Sequence, residues 1–376
     1  MTHPRHRLAL IVGCLFLTSA LQAQDWPQWR GPQRNGTAAG FLTPAQWPPA
    51  LTEAWKVAVG AGDATPALVG DRVYLHTRQN EEEVTLCLNG ADGKVLWRDA
   101  YPTPAPTGPA RAHAGPRSSP AVAQGKVVTL GVNGVLSCLD AATGKLLWRK
   151  DPFPGKVPRF YTASSPLIVE NLAVAHLGGP GEGGLMAFDL TTGELKWQWT
   201  GEGPDYGSPV LMRVGGTRLV VTLTEKSLVG VDLADGKLRW QIPSIPSGRA
   251  YNACTPVVEG EKLYVSGGQG LKAIAIQKQG DAFAARELWT NTDGTVQFNS
   301  PVLKNGYLYG LSARGNLFCV NGQTGQTAWV DPTPRGRGGF GSIVDAGAVL
   351  LVLPNAPQLI VLRPSEKGCE EVAKLP

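Results

Sequence analysis

Asp189-Leu190-Thr191-Thr192-Gly193-Glu194-Leu195-Lys196-Trp197 decides the fold, because its spacing returns four more times along the chain. The other copies run from Asn89 to Gly93 and Trp97, Asp140 to Gly144 and Trp148, Asp232 to Gly236 and Trp240, and Asn321 to Gly325 and Trp329. Each copy sets Asp or Asn four residues before Gly, and Gly four before Trp. The first half is turn chemistry: a short side-chain acceptor closes the backbone and Gly takes positive φ, which joins two antiparallel strands. The Trp then falls in the outgoing strand, where one large aromatic per unit fills the gap between neighbouring sheets.

Two more strands precede each turn. One starts at a Ser/Thr-Pro pair, at Thr65, Ser119, Ser165, Ser208, Thr255 and Ser300, with Ser342-Ile343 as a Pro-less seventh copy. Pro is tolerated at a strand start because it need not donate to the ladder there. The next strand is β-branched, as in Lys126-Val127-Val128-Thr129-Leu130 and Lys262-Leu263-Tyr264-Val265. Four strands per unit, repeated radially, make an all-β β-propeller of four-stranded antiparallel blades.

The repeat resembles the tryptophan-docking motif of quinoprotein alcohol dehydrogenases, and its looser form in PQQ-like repeat proteins and BamB-type propellers. The resemblance covers residues 51–376 and implies that Trp97, Trp148, Trp197, Trp240, Trp289 and Trp329 are structural docking residues. Blade 5 is degenerate, with Gln277 to Ala285 replacing the Asp-Gly turn by a longer loop. Thr52 to Val59, which includes Trp55, reads as the last strand of a closing blade. Seven complete blades plus a shared or abbreviated eighth are expected.

The opening Asp25-Trp26-Pro27-Gln28-Trp29-Arg30-Gly31-Pro32 is similar to the start of exported PQQ-like repeat proteins. Residues 24–50 otherwise read as an extended lead-in, with Trp26, Trp29 and Trp47 packed on the outside of a blade. Residues 1–23 read as a signal peptide: a positive start (Arg5, Arg7), an apolar run from Leu8 to Leu17, and small residues from Ala20 to Ala23. The expected destination is the periplasm or the cell exterior, as a soluble monomer. Ile11-Val12-Gly13-Cys14 offers a lipoprotein box as a lesser alternative.

The formal charge of +5, two units of it in the leader, is too small to argue for nucleic acid or a membrane surface. Cys87, Cys138 and Cys319 occupy one repeat position in different units, which suits small buried hydrophobes better than a disulfide framework. No CxxC, HExxH or GxSxG occurs, and His76, His113 and His176 are not spaced for metal.

Dehydrogenase chemistry, as the resemblance implies it, needs PQQ on a Trp platform, calcium held by Glu/Asn/Asp, an Asp base and, in many members, an adjacent Cys-Cys pair. The Cys-Cys pair is absent and no set of calcium carboxylates stands out. Neither a cofactor nor a catalytic residue is therefore expected. The loops entering each first strand carry the more informative side chains, because in a propeller they converge on the channel mouth. They hold Arg111, His113 and Arg117; Arg159, Phe160 and Tyr161; Asp205 and Tyr206; Arg249, Tyr251 and Asn252; Gln297, Phe298 and Asn299; and Arg335, Arg337 and Phe340. Arg mixed with aromatics suits a protein partner in the cell envelope or an anionic small ligand. The expected function is a non-catalytic exported propeller that binds such a partner, for example as an assembly scaffold, with a PQQ-dependent dehydrogenase or a degenerate relative of one as the alternative.

Overall fold

The computed structural model describes residues 24–244, 251–267, 269–336 and 338–376. The leader at 1–23, Arg249 and Arg337 lie outside the described residues. Seven four-stranded antiparallel sheets follow one another along the chain, and we number them blades 1 to 7: 67–102, 121–150, 167–199, 210–243, 257–291, 302–334 and 341–375. Within every blade each strand pairs with the next in sequence.

The turn and the Trp form one joint between blades. In blade 2, Asp140 Oδ1 accepts the N–H groups of Ala142 and Thr143, and Gly144 sits at φ +73°. The indole of the preceding blade reaches across to that turn: Trp97 Nε1 donates to Ala141 O at 3.0 Å. Trp148 does the same to Leu190 O, Trp197 to Leu233 O and Trp289 to Gly322 O. In each case the acceptor follows the turn's Asp or Asn, and the indole lies against the turn's Gly. Trp329 donates to Ser365 O in blade 7, whose turn has a different sequence. Opposite Trp97, Trp148 and Trp329 in the sheet register lie Cys87, Cys138 and Cys319, all buried and unpaired.

Trp240 is the exception that follows from the degenerate blade. Blade 5 has no Asp-Gly turn to receive it, and the Trp240 N–H is buried without a hydrogen-bond partner among the described residues. The expected longer loop is instead a longer hairpin, Gly270–Gln279 paired to Ala282–Asn291. Alternating small and β-branched residues there continue the ladder until Gly280 turns it at φ +60°.

Among the described residues no sheet is shared between the two ends of the chain, since blade 7 is built from 341–375. Residues 51–60 form no strand, yet Trp55 docks like the other indoles, with Nε1 on Gly90 O at 2.9 Å and its ring against Gly93. In blade 7 the position of the docking Trp is held by Ala373, opposite Val361. Phe41 and Trp47, stacked at 6.2 Å, pack on that blade.

The Ser/Thr-Pro pairs have a role that Pro tolerance does not explain. The Thr65 N–H donates to Ser119 Oγ, Ser119 to Ser165, Ser165 to Ser208, Ser208 to Thr255 and Thr255 to Ser300, at 2.8–3.3 Å. Five backbone N–H groups next to the innermost strands are thus satisfied by the hydroxyl of the next blade, and the chain of bonds runs from blade 1 to blade 6.

Residues 26–38 cross the middle of that ring, which corrects the outward placement of Trp26 and Trp29. Trp26 pairs with Leu68 of blade 1, and Pro27 O accepts Val122 N–H of blade 2. Trp29 Nε1 donates to Thr255 Oγ1 at 2.9 Å. Arg30 donates to Ser300 O and Pro301 O, Arg34 to Ser165 O and Pro166 O, and Ala38 to Asp345 O. One segment therefore ties blades 1, 2, 3, 5, 6 and 7 together and plugs the channel. Burial pushes the Arg30 guanidinium down to about 10 and Arg34, which also feels Arg30, to about 9.

Candidate functional site

The register set by the Ser/Thr ring places one side chain per blade at the channel mouth. Counting two residues back from each Ser or Thr gives Asp63, Arg117, Ala163, Tyr206, Ala253, Phe298 and Phe340, and all seven line one cavity of about 520 Å³. Trp29 and the hydroxyl positions Ser165, Ser208 and Thr255 also line it. These residues lie in the entry segments just before each first strand, and at 163/165, 206/208 and 253/255 both the minus-two residue and the hydroxyl residue face the cavity. Ser118, Ser164 and Cys254, at the position between the two, are buried.

Six aromatic rings, Trp29, Phe160, Tyr206, Tyr251, Phe298 and Phe340, line the wall. Phe160 and Tyr251 meet edge-on at 5.2 Å, and Tyr206 and Tyr251 at 5.7 Å. Phe298 and Phe340 stack in parallel at 4.4 Å, and both remain exposed. Tyr206 Oη accepts the Phe160 N–H at 3.1 Å, and burial pushes its phenol up to about 12. Next to it, burial raises the Asp205 carboxyl to about 6 even though it accepts the Asn252 N–H at 2.7 Å.

Among the described lining residues, the titratable groups Asp63, His113 and Arg117 belong to the entry segments of blades 1 and 2. His113 Nδ1 lies 3.0 Å from Asp63 Oδ2. The half-buried Arg117 donates from Nη1 to Phe160 O at 2.6 Å and from Nη2 to His113 O at 2.9 Å. Burial lowers its pKa, with the Asp63 charge acting the other way.

Of the mouth residues expected from sequence, the cavity brings together His113, Arg117, Phe160, Tyr206, Tyr251, Phe298 and Phe340. The other described ones lie elsewhere. Arg335 is a correction: it pairs with Asp331 of its own strand and Glu371 of blade 7, so it links two outer strands. Asn252 is buried, with its amide on Thr224 O and Ser244 O. Tyr161 Oη accepts the Thr107 N–H and lies outside the lining, as do Arg111 and Arg159, the latter over the Phe160 ring at 5.4 Å. The sequence does not single out Asp63, Ala163 and Ala253, although counting two residues back from each Ser or Thr finds all three, and it places Trp29 on the outside of a blade rather than in the cavity.

PQQ is a planar tricarboxylate that the quinoproteins hold beside calcium, so its site needs oxygen donors for the metal as well as aromatic slabs. The rings are present, but the lining offers one carboxylate, Asp63, and that is engaged by His113. No group of three or more His, Cys, Asp or Glu is placed to hold a metal ion among the described residues. The described donor set does not fit the calcium-quinone pair.

Comparison with known proteins settles the lineage. A family model described as outer membrane protein assembly factor BamB matches residues 81–331. The chain belongs to this family. Tetrathionate hydrolase of Acidithiobacillus ferrooxidans is 25% identical over 231 residues, 57% of this chain and 43% of that protein. The assembly factor BamB of Yersinia pestis is 25% identical over 234 residues, 59% of this chain and 57% of that one. The chain thus spans about half the length of these relatives. The crystal structure of quinohemoprotein alcohol dehydrogenase from Comamonas testosteroni superposes with a TM-score of 0.67 at 14% identity, covering 94% of this chain and 73% of the other. That likeness is one of fold: a PQQ-type propeller. No helix among the described residues is long and apolar enough to cross a membrane.

Proposed function

We propose that the chain is an exported, non-catalytic propeller of the cell envelope that captures a protein partner at the mouth where its seven entry loops converge. Membership of the BamB family supports an assembly role of the kind that family's description names. The observation that carries the reading is the bowl itself: every blade contributes one side chain, six aromatic rings line it, and one of these, Trp29, is held there by Thr255. A concave aromatic surface with a few charged groups is the composition of an interface hot spot. Two exposed stacked phenylalanines at the rim add apolar area that a partner would cover.

A PQQ-dependent dehydrogenase, or a degenerate relative of one, is the second reading, favoured by the shared propeller. Titrating the purified protein with PQQ and calcium while following quinone absorbance and dye-linked alcohol oxidation separates the two. The binding reading expects no saturable signal. Saturation with turnover would replace it by the enzyme reading.

A further inference from the structure

We infer that the residue two positions before each blade's Ser or Thr is the specificity position of the bowl, and that these positions together read an aromatic side chain next to an acidic residue on an exposed segment of a partner protein. The inference rests on the binding reading above and gives the partner its chemistry. Round the mouth the seven positions are unequal. Phe298 and Phe340 in blades 6 and 7 present a flat apolar face, 38% and 48% exposed, while Ala163 and Ala253 leave room on either side of Tyr206. An aromatic ring inserted there meets the edges and faces of Phe160, Tyr206 and Tyr251, of which Tyr251 stands edge-on to the other two at 5.2 and 5.7 Å.

The charged arc selects the neighbour of that ring. The Asp63 carboxylate has His113 at 3.0 Å, whereas both Arg117 bonds go to backbone carbonyls, at Phe160 and His113. Among the described residues Arg117 forms no ion pair, although it feels the Asp63 charge, and it lies half-buried beside an apolar wall, where a charge-assisted bond to an acid is worth more than in water. An acidic residue complements it and a basic one is repelled.

The plug decides the form of the segment. Trp29 is fixed to Thr255 and the segment 26–38 is bonded to six blades, so nothing threads through the channel. The occupant enters and leaves by one face, as a loop tip or chain terminus. The cavity of about 520 Å³ holds one large side chain with its neighbours.

The test is calorimetric titration of the intact protein with the capped peptide acetyl-Gly-Phe-Asp-Gly-amide and three relatives, carrying Ala for Phe, or Asn or Lys for Asp. The parent peptide should saturate. The Asn and Lys forms should bind about tenfold and more than tenfold weaker, and the Ala form should not bind. In Arg117→Gln the Asp and Asn peptides should bind alike, whereas Phe340→Ala should weaken both by the same factor. Thermal unfolding of each variant controls for folding. Equal binding of Asp, Asn and Lys peptides to the native protein would overturn the inference, as would a preference for Asp retained in Arg117→Gln, or no binding of any peptide at millimolar concentration. If a partner still crosslinks at the mouth while the peptides fail, the binding reading stands and this assignment falls. If neither is seen, both fall.

Discussion

The indole of Trp97 lies so close over Gly144 that a Cβ added to the glycine would sit 2.5 Å from the indole Cδ2. The two residues are 47 positions apart and belong to adjacent blades, so this contact joins two units of the repeat. Gly144 must also adopt φ +73°, which an L side chain resists.

Gly144→Ala should accordingly destabilise by about 2–4 kcal/mol, combining backbone strain with displacement of the indole. Gly155→Ala is the control, because Gly155 has φ +71° and nothing within 4 Å of its added Cβ. That change should cost about 1 kcal/mol. Equal shifts of the urea midpoint in the two variants would show that the indole contact adds nothing.

Trp197 and Trp240 separate the hydrogen bond from the packing. Trp197 Nε1 donates to Leu233 O at 2.8 Å, whereas the Trp240 N–H is buried with no partner among the described residues. Replacing each by Phe removes a similar area but only one bond, so Trp197→Phe should cost about 1 kcal/mol more than Trp240→Phe in denaturant unfolding.

The plug depends on two arginines held at φ +60° and +55°. Arg34→Met should release Ser165 O and Pro166 O from their donors and lower stability by about 2 kcal/mol. Hydrogen exchange should report faster opening confined first to residues 26–38. Uniform acceleration over all seven blades would mean that the segment is not a separate plug.

His176 sets a pH dependence. It is buried, its Nε2 faces Glu202 O at 3.2 Å, and burial pushes its pKa down to about 4 from the usual 6.5. Above 6.5 both folded and unfolded states are neutral there. Below it the unfolded chain takes up the proton first, so stability falls as the pH drops from 6.5 to about 4, by roughly 1–3 kcal/mol. Asp205, raised to about 6 by burial, works in the opposite sense, its contribution being lost as the pH rises through 6. The difference between the native protein and His176→Gln removes the Asp205 part, and it should itself vary with pH across that window. A difference that is flat with pH would contradict the assignment.

The sequence made the blade joints legible because Asp, Gly and Trp each act through local chemistry: a turn acceptor, a positive φ and a large ring. It made the Ser/Thr starts visible too, but not their purpose, since the partner of the Ser119 hydroxyl is the N–H of Thr65 in another blade. Trp29 and Arg34 were misplaced or passed over for the same reason. Nothing within Trp-Pro-Gln-Trp-Arg shows that the segment turns into the channel, where Thr255 and Ser165 receive it. Sequence alone groups Arg335 with Arg117 because both stand in entry loops, and it does not show that Arg335 closes onto Asp331 and Glu371.

The central claim, that the bowl is where a partner binds, is tested most directly by site-specific photocrosslinking in envelope preparations. A photoactivatable residue at Phe340, on the rim, should give a discrete protein adduct that weakens when Arg117→Gln is added, while the same probe at Leu147, on an outer strand, should give none. Adducts from Leu147 alone, or a Phe340 adduct indifferent to Arg117, would contradict it.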